Sequence, residues 1–249
     1  KLLDISSELI EENLTTLAFA GEIELDSLDG VPVVYQHFFY QAEQSVTYHI
    51  KRIMNGYMPP LAADPDNLIN AAEADERIQI SGDQRKAIRA ALTNKITIIT
   101  GGPGTGKTTI INLIVKIFKQ MGISVALAAP TGRAAKRITE TSGVEAMTIH
   151  RLLEYVYSED ENEMEFGRNA ENPLEEDSFI VDEASMIDLM LMDGFLNALE
   201  DDSRLIIVGD ADQLPSVGAG NVLLDMINSD YVPTIRLEEI FRQASESRI

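Results

Sequence analysis

Cysteine is absent from the 249 residues, which excludes disulfides, thiolate metal sites and cysteine nucleophiles. Tryptophan is absent too, and aromatic residues make up only 6%. Positive charge is scarce: 20 Lys and Arg stand against 41 Asp and Glu, for a net charge of −21. A protein that meets nucleic acid through its bulk field should be basic. Any nucleic-acid site must therefore be a local basic patch, or lie partly on residues outside this chain. No apolar run approaches the ~20 residues of a membrane helix and no signal peptide opens the chain, so a soluble, cytoplasmic protein without a membrane partner is expected.

What is present is ordinary for a globular protein. Apolar residues make up 45% and charged residues 24%, which excludes disordered, collagen-like and low-complexity classes. At ~150 residues per domain the length allows one or two domains. Residues 1–58 carry nine acids and three Lys or Arg. Ile5, Leu9, Ile10, Leu14 and Leu17 recur at helical spacing; an alternating stretch then turns at Leu28-Asp29-Gly30, and a second helix is expected over Phe38 to Met54. This predicts a small α+β accessory domain, winged-helix-like in outline but acidic where a phosphate-gripping wing would be basic. Pro59-Pro60 opens an expected linker over 59–79.

From Ile80 the pattern changes. Apolar runs at 95–100, 123–129, 178–182 and 204–209 read as strands, with helical segments between them. Continuous apolar strands separated by helices imply an α/β fold: a parallel sheet with helices on both faces. Residues 80–249 form this second expected domain.

The strongest motif follows the first of these strands. Gly101, Gly102, Pro103, Gly104, Thr105, Gly106, Lys107, Thr108 and Thr109 spell a P-loop in its strand–loop–helix context. Glycines let backbone amides curl around phosphates, and the helix N-terminus adds the positive end of its dipole. Lys107 is expected to neutralise the β- and γ-phosphates and Thr108 to ligate Mg²⁺. Downstream, Phe179-Ile180-Val181 ends in Asp182-Glu183, the place of a magnesium-holding carboxylate and of a group that orients or deprotonates water. Gly209-Asp210-Ala211-Asp212-Gln213 leaves another strand; Gln213 either senses the γ-phosphate or sits in an acidic turn closed by Pro215. Two basic stretches, Ala129 to Arg137 and Thr148 to Arg151, either contact nucleic-acid backbone or are solvated helix starts.

In order, GGPGTGKTT, APTGRAAKR, TIHRLL, IVDEASMID, GDADQLPSVGAG and EEIFRQ resemble the RecD-like helicases of superfamily 1, related to the exodeoxyribonuclease V alpha subunit. The resemblance covers roughly 80–249 and, more loosely, 1–60. It implies a RecA-like motor that uses ATP and Mg²⁺, moves 5′-to-3′ on single-stranded DNA and separates duplexes. It implies that Gln84 recognises adenine, that Gln213 links the γ-phosphate to DNA movement and that Arg242 approaches the γ-phosphate. Pro130, Thr131, Arg133, Thr148 and His150 fall in segments lining the strand path. A hairpin at 153–177, with ten acids between Glu154 and Asp177, is either the pin that splits the duplex or an exposed acidic excursion. The implied partners are single-stranded DNA, a second RecA-like domain expected beyond Ile249, and a recombination or nuclease complex. Without that second domain the chain is expected to bind Mg-nucleotide but to unwind nothing.

Two other readings compete. A standalone P-loop switch or phosphotransferase should carry a guanine motif or an arginine-rich lid, but Asn94-Lys95-Ile96-Thr97 lacks the final Asp and bases are scarce. A non-catalytic module is opposed by intact Lys107, Thr108, Asp182 and Glu183.

Overall fold

The computed structural model describes residues 6–28, 30–158 and 163–239. Helix α1 (Ser7–Phe19) starts where the Ser6 hydroxyl accepts from the Leu9 amide at 3.3 Å. Strands β1 (Ile23–Leu28) and β2 (Val31–Gln36) then pair antiparallel, with Gly30 at φ +80 in the turn. Helix α2 (His37–Met54) follows. The stretch expected as a linker holds helix α3 (Pro65–Glu76) instead. Pro59 and Pro60 do lie in irregular chain, but Asp64 then caps the helix and Pro65 occupies its first turn, where no amide is needed. Ile69 and Ala72 of α3 are fully buried.

The remaining elements alternate. Helix α4 (Gly82–Thr93) leads into β3 (Ile96–Gly101), α5 (Lys107–Gln120), β4 (Val125–Ala129), α6 (Gly132–Ser142) and the short β5 (Ala146–Thr148). A single turn, α7 (Ile149–Leu152), precedes the hairpin β6 (Tyr155–Ser158) and β7 (Glu163–Phe166). Then come β8 (Ser178–Val181), α8 (Leu189–Asn197), β9 (Arg204–Gly209), α9 (Val222–Asn228) and β10 (Thr234–Leu237).

Six strands form one parallel sheet in the order β10-β3-β9-β8-β4-β5. Successive side chains point to opposite faces, and the two cores follow that rule. Ile98, Ala128, Val181 and Ile207 pack on one face with α2, α8 and α9; Ile99, Leu127, Ile180 and Ile206 pack on the other with α3, α4, α5 and α6. Both faces are covered, as near-continuous apolar strands require. This is the P-loop RecA-like arrangement.

Helix α2 touches its hairpin through His37 and Glu24 but reaches well beyond it. Ala42, Val46, Ile50 and Ile53, spaced along one stripe, join the core shared by α8 and the sheet. Arg52 locks the joint: its guanidinium donates to the carbonyls of Leu196 and Leu199 at 3.1 and 2.7 Å, at and just past the end of α8, and pairs with Asp201. Gly56 makes the close approach possible, because a Cβ there would stand 1.7 Å from the Asp201 carbonyl oxygen. Helix α2 and the sheet therefore share one core. Ile53→Ala, at a site with no exposed surface, is expected to cost about 2–5 kcal/mol. Calorimetry should show the single melting transition of the sheet moving down; a sheet transition left in place would mean that the N-terminal residues fold apart from it.

Candidate nucleotide-binding site

The parallel order puts the C-terminal ends of β3, β9 and β8 side by side, with β9 inserted between the other two. Such an edge is where α/β sheets place ligands. The turn from β3 into α5 is the P-loop. Gly104 and Gly106 sit at φ +82 and +84, a backbone region that favours glycine. Gly101 is needed for packing: a Cβ there would come within 2.9 Å of the Thr105 hydroxyl and 3.0 Å of the Leu237 carbonyl. The Thr105 hydroxyl donates to the Gly102 carbonyl at 2.9 Å and closes the loop on itself. The Lys107 ammonium folds back over the loop, donating to the carbonyls of Gly101 and Gly102 at 2.5 and 3.1 Å. Thr108 and Thr109 stand in the first turn of α5, where amides lack intrahelical partners.

Gln84 has both ends of its side-chain amide engaged within the chain. It is buried in a capping box at the start of α4: its Oε1 accepts from the Ser81 amide at 3.0 Å, and its Nε2 donates to the Thr105 carbonyl of the P-loop at 3.1 Å. Its side chain ties α4 to the phosphate loop.

At the end of β8, burial pushes the Asp182 carboxyl above the usual carboxylate range. The Glu183 amide, donating to Asp182 Oδ1 at 2.8 Å, draws it back down, the Glu183 carboxylate raises it again, and Lys107 and Arg137 lower it. Strand order sets the P-loop at the end of β3 one strand away from the Asp182-Glu183 end of β8. Glu183 adopts φ +55, a left-handed turn that costs a non-glycine residue energy and is typical of functional sites. Its carboxylate lies 4.0 Å from the Arg137 guanidinium.

Between them, the loop after β9 is pinned to both neighbours. The Ala211 amide donates to the Thr100 hydroxyl at the end of β3 (3.0 Å), while Gln213 accepts from the Ser185 hydroxyl at 3.5 Å and donates to Asp210 at 3.4 Å. Gly218 is a packing requirement, since a Cβ would meet the Asp188 carboxylate at 2.3 Å.

Sheet pairing also gathers the basic segments. Ala129 lies opposite Thr148 in the β4–β5 pair, so Pro130 and Thr131 leave the sheet beside Thr148 and His150. Thr131 and Thr148 accept from the amides of Ala134 and Arg151 as helix caps, while Arg133 and His150 are exposed. Arg242 lies outside the described residues, as does the tip of the hairpin at 159–162. Sequence reasoning missed Arg137 and Asp210. Both sit inside motifs it had singled out, APTGRAAKR and GDADQLPS, but spacing alone did not reveal which member of each string faces the site.

The oxygen donors present suit magnesium. Among the described residues no group of three or more His, Asp or Glu is built to hold a metal. A threonine hydroxyl and one desolvated carboxylate are, however, what this hard ion uses when phosphates supply further oxygens. A cation beside Asp182 would relieve the cost of its burial.

Comparison with known proteins places these features. A family model described as an AAA domain matches residues 84–219, more than half of the chain. The ATP-dependent RecD2 DNA helicase of Deinococcus radiodurans is 34% identical over 216 residues, covering 87% of this chain and 29% of that protein. The RecBCD enzyme subunit RecD of Haemophilus influenzae is 33% identical over 224 residues, with 77% and 34% covered. Its counterpart in Mycolicibacterium smegmatis is 38% identical over 168 residues, with 58% and 30% covered. The chain thus spans about a third of the length of these relatives. A crystal structure of the Pif1 helicase from Candida albicans overlaps 67% of this chain and 41% of its own at 24% identity, with a TM-score of 0.49. With the P-loop, the acidic strand end and the RecA-like sheet in one matched stretch, this chain belongs to the AAA domain family, among the RecD-like superfamily 1 helicases.

Proposed function

We propose that this chain is the first motor domain of an ATP-dependent DNA helicase, binding Mg-ATP and single-stranded DNA and stepping 5′-to-3′ together with a second RecA-like domain. One observation carries the reading. Lys107, Asp182, Glu183 and Gln213 converge on one sheet edge, and the strand ends that bear Thr131 and Thr148 continue the same edge.

In this reading the P-loop amides and Lys107 receive the β- and γ-phosphates, and Lys107 gives up its two carbonyl partners to do so. Thr108 and Asp182 hold the magnesium ion, which when bound shields the phosphate charge. Glu183 orients the attacking water and takes its proton. Gln213, already strung between the β8 and β9 ends, senses the γ-phosphate. Gln84 contributes by holding the P-loop as well as by meeting adenine. Arg242 is assigned to the γ-phosphate, and Pro130, Thr131, Arg133, Thr148 and His150 to the strand. Residues 80–249 would form the motor and 1–58 an accessory unit welded to it through α2.

ATP hydrolysis by the protein, measured with and without single-stranded DNA, tests the proposal. Strong stimulation by DNA is the expected result. Robust hydrolysis indifferent to DNA would overturn it in favour of a P-loop enzyme acting elsewhere.

A further inference from the structure

Three aromatic rings gather at the root of the β6–β7 hairpin, outside the nucleotide crevice. Tyr155 opens β6 and pairs in register with Phe166, which closes β7. Their ring centroids are 4.9 Å apart at 41°. His150, on α7, meets Tyr155 edge-on at 5.4 Å and Phe166 at 6.5 Å. The base of the cluster is fixed. Phe166 lies on Gly194 of α8, where a Cβ would come within 2.4 Å of the ring, and Arg168 pairs with Glu154 at 2.9 Å beside it. Despite two aromatic neighbours, Tyr155 remains 40% exposed.

Its position is as telling as its exposure. His150 ends the edge formed by Pro130, Thr131 and Thr148, and Tyr155 is the next surface beyond it. From Glu154 to Asp177 the chain carries ten acids, so phosphates find little attraction there. A nucleobase is different, because stacking needs an aromatic face and no positive charge. A ring held by packed neighbours also loses little freedom on binding.

We propose that Tyr155, backed by His150 and Phe166, is a stacking platform for one unpaired nucleobase, extending the strand path onto the hairpin root. The proposal rests on the single-stranded DNA reading above. It gives a chain with net charge −21 a way to hold the strand that does not depend on phosphate contacts.

The test is fluorescence anisotropy with a labelled oligothymidylate and an abasic strand of equal length, over a salt series. Tyr155→Ala is expected to weaken oligothymidylate binding about tenfold, the usual worth of one stacked base. The loss should be the same at every salt concentration, with the slope of log affinity against log salt unchanged, and absent for the abasic strand. Tyr155→Phe should restore binding. Arg133→Ala should instead reduce the slope by about 0.7, as for one lost phosphate contact. Because the chain has no tryptophan, Tyr155→Trp installs a lone reporter whose emission should be quenched by oligothymidylate and not by the abasic strand. If Tyr155→Ala binds like the parent while Arg133→Ala is impaired, the platform is overturned and the strand path stands. An equal loss on the abasic strand, or no quenching of the tryptophan, also overturns the platform. If the parent protein binds no oligothymidylate, the DNA reading falls and takes the platform with it.

Discussion

Replacing Lys107 with alanine is expected to lower DNA-stimulated ATP turnover by about 10²–10³-fold, the scale on which one preorganised charge-stabilising group acts. The ammonium donates to the Gly101 and Gly102 carbonyls of the loop that the phosphates would occupy. A bound triphosphate brings several negative charges against that loop. The P-loop amides offer only partial charges in compensation, and the chain around them is acidic overall, with a net charge of −21. Lys107, in the first turn of α5 directly after the loop, supplies a full positive charge against them. Loss of the two carbonyl hydrogen bonds should cost the fold little, because Thr105 still closes the loop onto Gly102 and Gln84 still holds it from α4. Steady-state turnover at saturating nucleotide and DNA, set beside the melting temperature of the variant, separates the two effects. Turnover within a few-fold of the parent would remove Lys107 from the chemistry.

Glu183→Gln should give a comparable loss in turnover, about 10²–10⁴-fold, with nucleotide binding retained. The substitution keeps shape and hydrogen-bonding capacity while removing the ability to accept a proton. Its neighbour differs in kind. Asp182 is the carboxylate that burial has already penalised, so a cation has most to gain beside it. Glu183 sits one residue on, turned by its left-handed backbone, with Arg137 at 4.0 Å. That exposed guanidinium forms too loose a pair to contribute much to stability, but it is positioned to orient the carboxylate. The measurement is titration of a fluorescent ATP analogue with magnesium, followed by single-turnover hydrolysis. An unchanged affinity with a collapsed hydrolysis step is expected; a variant that hydrolyses at the parent rate would transfer the water-activating role to another group.

The contrast between Gln84 and Lys107 shows how far a motif carries. Both were candidates in the sequence for a nucleotide site. For Lys107 the local strand–loop–helix pattern is enough to place the side chain, since its neighbours in space are its neighbours in sequence. For Gln84 the deciding partner is the Thr105 carbonyl, 21 residues away, and the capping box with Ser81 that absorbs its other end. Proline-rich 59–66 is irregular only as far as Asp64, for a related reason. Pro65 reads as chain punctuation until Asp64 is recognised as a cap, and Ile69 is buried in a core shared with α4 and α5 that no local pattern reveals.

From the sequence by itself came the P-loop, the acidic strand end, the alternation of apolar strands with helices and the order of motifs that marks the family. All of these are encoded within windows of a few to some fifteen residues, where glycine conformations, helix caps and apolar periodicity act. Only the tertiary structure decided that β9 lies between β3 and β8, that Arg137 faces Glu183, and that α2 buries Ile53 against the sheet. It also decided that Tyr155 stands beside His150. Strand order, helix docking and side-chain juxtaposition are settled by contacts between distant residues competing for the same buried area, and that competition is resolved only when the whole chain is folded.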